Sequence, residues 1–139
     1  MTRRDIYHNT VKRALEKDNW IITHDPFPLE IGEKTLFADL GAERLISAKK
    51  GLKKIIVEIK SFVGRSDVRD LQQAVGQYIM YFRVIKKADI DRDLYLAIPE
   101  RTYENIFSTD LGQLFLEDTF IRLMVFDEEK EAIIKWIPE

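Results

Sequence analysis

The stretch Lys53-Lys54-Ile55-Ile56-Val57-Glu58-Ile59-Lys60-Ser61 decides how this chain is read. Ile55, Ile56 and Val57 are all β-branched, stiff at χ1 and suited to a pleated, buried strand. Side chains alternate along a strand, so Glu58 and Lys60 share one face while Val57 and Ile59 share the other. A central strand normally turns apolar groups to both sides. Two charges at its end are costly to bury without partners, so they need a reason to be there.

Residues 35–48, just upstream, are also strand-like, and Lys49-Lys50-Gly51 separate the two runs. Gly51 supplies the positive φ that a hairpin turn needs. A turn on Lys50-Gly51 pairs Lys49 with Leu52 and sets Glu43 opposite Glu58. Asp39 lies four residues before Glu43 and so shares its face. This register gathers Asp39, Glu43, Glu58 and Lys60 on one surface. Three carboxylates repel one another unless a cation sits among them, and a hard divalent ion suits oxygen ligands, Mg²⁺ before Ca²⁺.

Downstream, Ser66 is an N-cap candidate with Asp67 at the first helical position. The helix expected over 66–86 carries Val68, Leu71, Val75, Ile79 and Phe82 as its apolar stripe. Leu94-Tyr95-Leu96-Ala97-Ile98-Pro99 reads as a strand buried on both faces, which favours parallel pairing. Short helical stretches are expected over 101–107 and 109–117, then a hairpin of 121–126 and 132–137 around Asp127-Glu128-Glu129-Lys130.

Toward the N-terminus, Tyr7, Val11, Ala14 and Leu15 are spaced as one face of a helix over 3–18. Trp20-Ile21-Ile22-Thr23 is a short buried strand, and Asp25-Pro26-Phe27-Pro28 a rigid loop. The expected order is α-β-β-β-α-β-α-β-β in a single domain over 1–139, with no repeat or linker.

Composition narrows the function classes. Hydrophobic residues are 45 % of the 139, enough for a core. There is no cysteine, which excludes disulfides, thiolate zinc sites and a cysteine nucleophile. The net charge is -2, whereas proteins that live on nonspecific phosphate contacts are strongly basic. DNA binding would therefore need a local patch, a metal, a homo-oligomer or a partner. The charged start leads into no signal-peptide core, and no apolar run approaches a membrane span, so a soluble cytoplasmic protein is expected. The six glycines form no phosphate loop or dinucleotide fingerprint, and G-x-S-x-G is absent.

An acid on one strand and Glu-x-Lys on the next, between two helices, resembles the PD-(D/E)xK nuclease superfamily. The resemblance implies an α/β fold with a restriction-endonuclease-like αβββαβ core: a central mixed sheet flanked by helices, closed here by a C-terminal β-hairpin. It implies Asp39, Glu58 and the carbonyl of Ile59 as metal ligands for Mg²⁺ or Mn²⁺. Lys60 then becomes the catalytic lysine. Ala38 stands where the superfamily's name has proline. Gln77 and Tyr81 fit Gln-x-x-x-Tyr, similar to a motif in RecB-like members, which adds Gln77 to the catalytic set.

Most of the chain further resembles the XisH family, named as controlling factors for excision of the fdxN element in cyanobacteria. The matching stretches include Arg4-Asp5-Ile6-Tyr7-His8, Trp20-Ile21-Ile22-Thr23-His24-Asp25-Pro26, Asp39-Leu40-Gly41-Ala42-Glu43, Val57-Glu58-Ile59-Lys60-Ser61-Phe62 and Gly76-Gln77-Tyr78. This implies a part in DNA rearrangement, with DNA, a site-specific recombinase and an accessory excision factor as partners. The function expected is an endonuclease-like excision protein with Mg²⁺-dependent phosphodiester hydrolysis. The alternative is a noncatalytic excision factor that keeps the nuclease fold as a binding platform.

Plainer readings stand beside these. Glu58 and Lys60 could flank solvent on a half-exposed strand, and Glu43 could form a surface ion pair. Gln77 and Tyr81 divide between polar helix face and site support. His8 and His24 read as local hydrogen-bonding residues, and Glu16 as a solvated one. Lys49, Lys50, Lys53 and Lys54 could grip a phosphate backbone or simply discourage edge aggregation.

Overall fold

The computed structural model describes residues 5–139. The first helix, α1 (His8–Lys17), is followed by β1 (Ile21–His24), β2 (Phe27–Ile31), β3 (Lys34–Ala38), β4 (Leu40–Ser47) and β5 (Gly51–Ile59). Next come the long helix α2 (Asp67–Lys87), β6 (Asp93–Pro99), a series of short helical turns, and β7 (Leu123–Asp127) with β8 (Ala132–Ile137). The expected start of the first helix at 3 and 4 lies outside the described residues.

Six strands form one mixed sheet in the order β1-β4-β5-β6-β7-β8. β6 runs parallel to both β5 and β7, as its unbroken apolar sequence predicts, and the outer pairs are antiparallel. Strand alternation divides the core into two layers. Leu40, Ala42, Ile55, Val57 and Ile59 face Val11 and Leu15 of α1. Ile56, Leu94, Leu96 and Ile98 face Leu71, Ala74 and Tyr78 of α2. The result is a mixed α/β fold with helices on both sides of the sheet.

Three expectations about the strands change. The run 35–48 is not one strand: it breaks at Asp39, and its first half pairs with β2 in a separate two-stranded sheet. The stretch read as a rigid loop ends at Asp25-Pro26, and Phe27–Ile31 is already strand, turning back through Gly32 at φ 58°. The β4–β5 register is also displaced. Glu43 faces Lys54 rather than Glu58. The turn centres on 48–50, a bulge lies between Leu45 and Ser47, and the Lys50 N–H donates to Ser47 Oγ at 2.9 Å. The displacement is four residues, an even number, so every side chain keeps the face expected for it.

α2 begins where expected, with Ser66 capping the Arg69 N–H. Its rotation differs from the expected one. Leu71, Ala74, Tyr78, Tyr81 and Ile85 face the core, while Val68, Ile79 and Phe82 are exposed. The Tyr78 hydroxyl donates to the Leu94 carbonyl at 3.0 Å and accepts from the Arg122 N–H at 3.1 Å. Such partners let tyrosine occupy a core position that an apolar-stripe count assigns elsewhere.

Candidate active site

Asp39 sits at the break between β3 and β4, one step beyond the last β4–β5 pair, Leu40 with Val57. The next step brings it beside Glu58. The Asp39 N–H donates to Glu58 Oε1 at 3.1 Å, and the Ile59 N–H donates to Asp39 Oδ2 at 2.7 Å. Each carboxylate is thus gripped by the backbone of the other's strand. Glu58 is 7 % exposed, on the α2 side of the sheet.

Two carboxyls this close and this buried do not both ionise easily. Burial first, and the Asp39 charge second, push Glu58 well above the usual carboxylate range. Burial raises Asp39 as well, against the opposing Ile59 hydrogen bond. Both carboxyls are thus raised, Glu58 the further of the two. Asp5 adds negative charge nearby and accepts from the Ser61 N–H at 3.0 Å.

Lys60 follows at the end of β5, half-buried, with Nζ donating to Gln73 Oε1 at 3.0 Å. The loop after it is tied down. Arg101 donates to the carbonyls of Ser61 and Phe62 at 2.7 and 3.2 Å, and Asp70 accepts from the Gly64 N–H at 2.9 Å. Phe62 holds φ 54°, a left-handed conformation that surrounding packing must enforce on a phenylalanine.

The structure therefore brings together Asp39, Glu58, the Ile59 backbone and Lys60. Glu43 is left out, about 13 Å along the strand from Asp39 at 3.3 Å per residue. Among the described residues no cluster of three or more metal-ligating side chains forms. Tyr81 lies against the pair: burial, then the Glu58 and Asp39 charges, raise its phenol, which donates to the Phe37 carbonyl at 3.3 Å. Gln77 is exposed one helical turn beyond Gln73, and Gln73 is the residue that meets Lys60.

Glu16 is exposed on α1. His24 packs on Phe27 with the rings tilted by 58° and their centroids 4.4 Å apart. Among the hairpin lysines, Lys53 pairs with Asp93 at 3.0 Å and Lys54 stands opposite Glu43.

Sequence reasoning gave no site role to Asp5, Asp25 and Gln73, and read His8 only as a hydrogen-bonding residue, which it is, on Asp25. His8 is 4 % exposed, with Nε2 2.7 Å from Asp25 Oδ1 and Nδ1 3.9 Å from Asp39 Oδ1. A signal was present, because 8, 11 and 15 fall at i, i+3 and i+7 and place His8 on the apolar face with Val11 and Leu15. Against the upward push of burial, hydrogen bonds from Lys12 and His8 hold Asp25 below its ordinary range.

No helix among the described residues is long and apolar enough to cross a membrane. No curated protein matches the chain. Two crystal structures are similar over nearly the whole length. An XisH family protein from Nostoc punctiforme is 36 % identical, with a TM-score of 0.84 over 95 % of this chain and 98 % of that one. A fdxN element excision controlling factor protein from Anabaena variabilis is 38 % identical, with a TM-score of 0.85 over 96 % and 99 %. The family described as XisH protein matches residues 1–134, and the chain belongs to that family.

Proposed function

We propose that this chain is an excision factor of the PD-(D/E)xK nuclease type, acting in DNA element excision by Mg²⁺-dependent phosphodiester hydrolysis. The observation that carries the reading is the buried Asp39–Glu58 pair, with Lys60 fixed beside it on Gln73. Its part in excision rests on the name of the Anabaena variabilis relative.

The donor set fits a hard divalent cation. Two neighbouring carboxyls, Glu58 buried and Asp39 half-buried, are both pushed up for want of a positive charge that such a cation would supply, and all their donor atoms are oxygens. Asp39 and Glu58 would hold the ion, with the Ile59 carbonyl as a third ligand. Bound there, Mg²⁺ or Mn²⁺ would supply Lewis acidity and a lowered pKa for water. Lys60 orients the reacting groups: Gln73 aims its ammonium from the exposed edge, where a phosphate oxygen can reach it. Asp70 and Arg101 keep the 61–64 loop from drifting, so the lysine stays at the strand end.

The test uses purified protein, Mn²⁺ or Mg²⁺, and supercoiled and branched DNA substrates. Cleavage lost in Glu58→Ala and in Lys60→Ala supports the reading. Cleavage that survives both changes refutes the mechanism.

A second reading is a noncatalytic platform that binds DNA or a recombinase and accessory factor through the same fold. The net charge of -2 favours it, because the free chain lacks the general basicity of a lone nuclease. Normal excision in cells carrying Lys60→Ala would select this reading over hydrolysis. A second copy of the chain is another partner this reading allows, because a dimer presents each local patch twice.

A further inference from the structure

His8 stands between two carboxylates that belong to different parts of the chain. On one side Nε2 is anchored on Asp25, whose other oxygen accepts from Lys12 Nζ at 2.8 Å. On the other, Nδ1 faces Asp39 Oδ1 at 3.9 Å and has no hydrogen-bond partner among the described residues. Leaving a buried ring nitrogen unpaired forfeits its hydration with nothing in return. Val11, Ala14 and Leu15 already fill the packing role of this helix face, each fully buried. An apolar residue at position 8 would serve that packing as well and would avoid the cost.

The geometry separates two roles for Nδ1. Around an octahedral Mg²⁺ with bonds of about 2.1 Å, adjacent donors lie about 3.0 Å apart. The 3.9 Å between Nδ1 and Oδ1 is too wide for neighbouring ligands of one ion. A movement of about 1 Å, however, closes it to an ordinary hydrogen bond. His8 is therefore suited to act through Asp39, not on the ion. Asp39 Oδ2 is already fixed by the Ile59 N–H. A donor on Oδ1 would hold the carboxylate at both oxygens and set its rotation.

We propose that His8 is the positioning residue of the Asp39–Glu58 site: anchored on Asp25 and Lys12, its Nδ1 holds Asp39 Oδ1 in the orientation that binds a divalent cation. This rests on the cation-site reading above. It extends a relay, Lys12–Asp25–His8–Asp39, from the surface of α1 to the end of β5. Partners of this kind behind a metal ligand typically contribute 10- to 100-fold in metal affinity.

The test is Mn²⁺ binding to the intact protein without DNA, followed by the free-ion electron paramagnetic resonance signal and by calorimetry. His8→Gln keeps a polar group at the Nε2 position toward Asp25 and removes Nδ1; His8→Asn does the reverse. The expected result is a 10- to 100-fold loss of affinity in His8→Gln, with His8→Asn within a few-fold of wild type. Asp25→Asn, which leaves the ring in place and loosens its anchor, should fall between them. Wild-type affinity in His8→Gln overturns the role of His8 and leaves the cation site standing. Equal losses in the Gln and Asn variants also overturn it, because the ring's bulk would then matter and not Nδ1. A wild-type protein that binds no Mn²⁺, or binds it equally well as Asp39→Asn, overturns both readings together.

Discussion

Glu58 is a buried acid whose folded form favours the proton, and this has a definite consequence for stability. In an acid raised by folding, the native state binds more protons than the unfolded chain over the window between the two pKa values. Stability contributed by the proton is therefore present at low pH. It is lost as pH rises from the ordinary glutamate value, about 4.3, through the raised native value. Glu58→Gln removes that loss. Without divalent cations, the variant should be more stable than wild type near pH 8 by on the order of 1 kcal/mol, with a smaller difference near pH 5. Urea midpoints across this range measure it, and parallel pH profiles for the two proteins would contradict the buried-acid account. At this scale strand parity put Glu58 and Lys60 on one face, while Asp39 was grouped with them through a hairpin register that the structure displaces by four residues. His8 was not grouped with them, because a lone histidine gives no sign of what faces it. The carboxylates of Asp25 and Asp39 that bracket it come from segments 17 and 31 residues away.

In α2 the sequence offers two apolar faces, and the structure buries the one that includes Ala74, Tyr78 and Tyr81. Hydrophobic spacing establishes that a helix exists, and Ser66 and Asp67 fix where it starts. Which face turns inward depends on the carbonyls of Leu94 and Phe37, which satisfy the two phenols. Two substitutions test the helix as an element. Gly76 lies mid-helix and exposed, and an added Cβ would meet nothing within 4 Å. Gly76→Ala should raise stability by about 0.5–1 kcal/mol through helix propensity. A loss of stability would mean the position is covered by something else. Ser66→Ala deletes the cap on the Arg69 N–H and should cost about 1 kcal/mol, read from the same denaturation curves. Because α2 carries Gln73, fraying of its first turns should also loosen Lys60.

Over the whole molecule, a cation bound only by the native state stabilises it by mass action, by about 2.7 kcal/mol at one hundred times the dissociation constant. At the proposed site the ion would compete with protons for the raised carboxyls, so its effect should grow with pH. Thermal unfolding with Mn²⁺ should show a shift of several degrees at pH 8 and a much smaller one at pH 5, absent in Asp39→Asn. An equal shift at both pH values would argue against binding at the carboxyl pair.

The sequence by itself determined the order of the two main helices and of the strands from β5 onward, the buried parallel strand, the cap of α2, and the face shared by Glu58 and Lys60. These follow from local periodicity and from strand alternation, which survives any even register shift. Tertiary structure decided the β4–β5 register, the break at Asp39 that sends its upstream half into a separate hairpin, and the inward face of α2. It also decided the company that Glu58-Ile59-Lys60 keeps. Asp39 reaches Glu58, where Glu43 had been expected opposite it, because a three-residue turn and a bulge slide one strand along the other. Gln73 and His8 enter because helices remote in sequence pack on the two faces of that strand. Such placements depend on contacts between distant segments, and no local spacing in the chain records them.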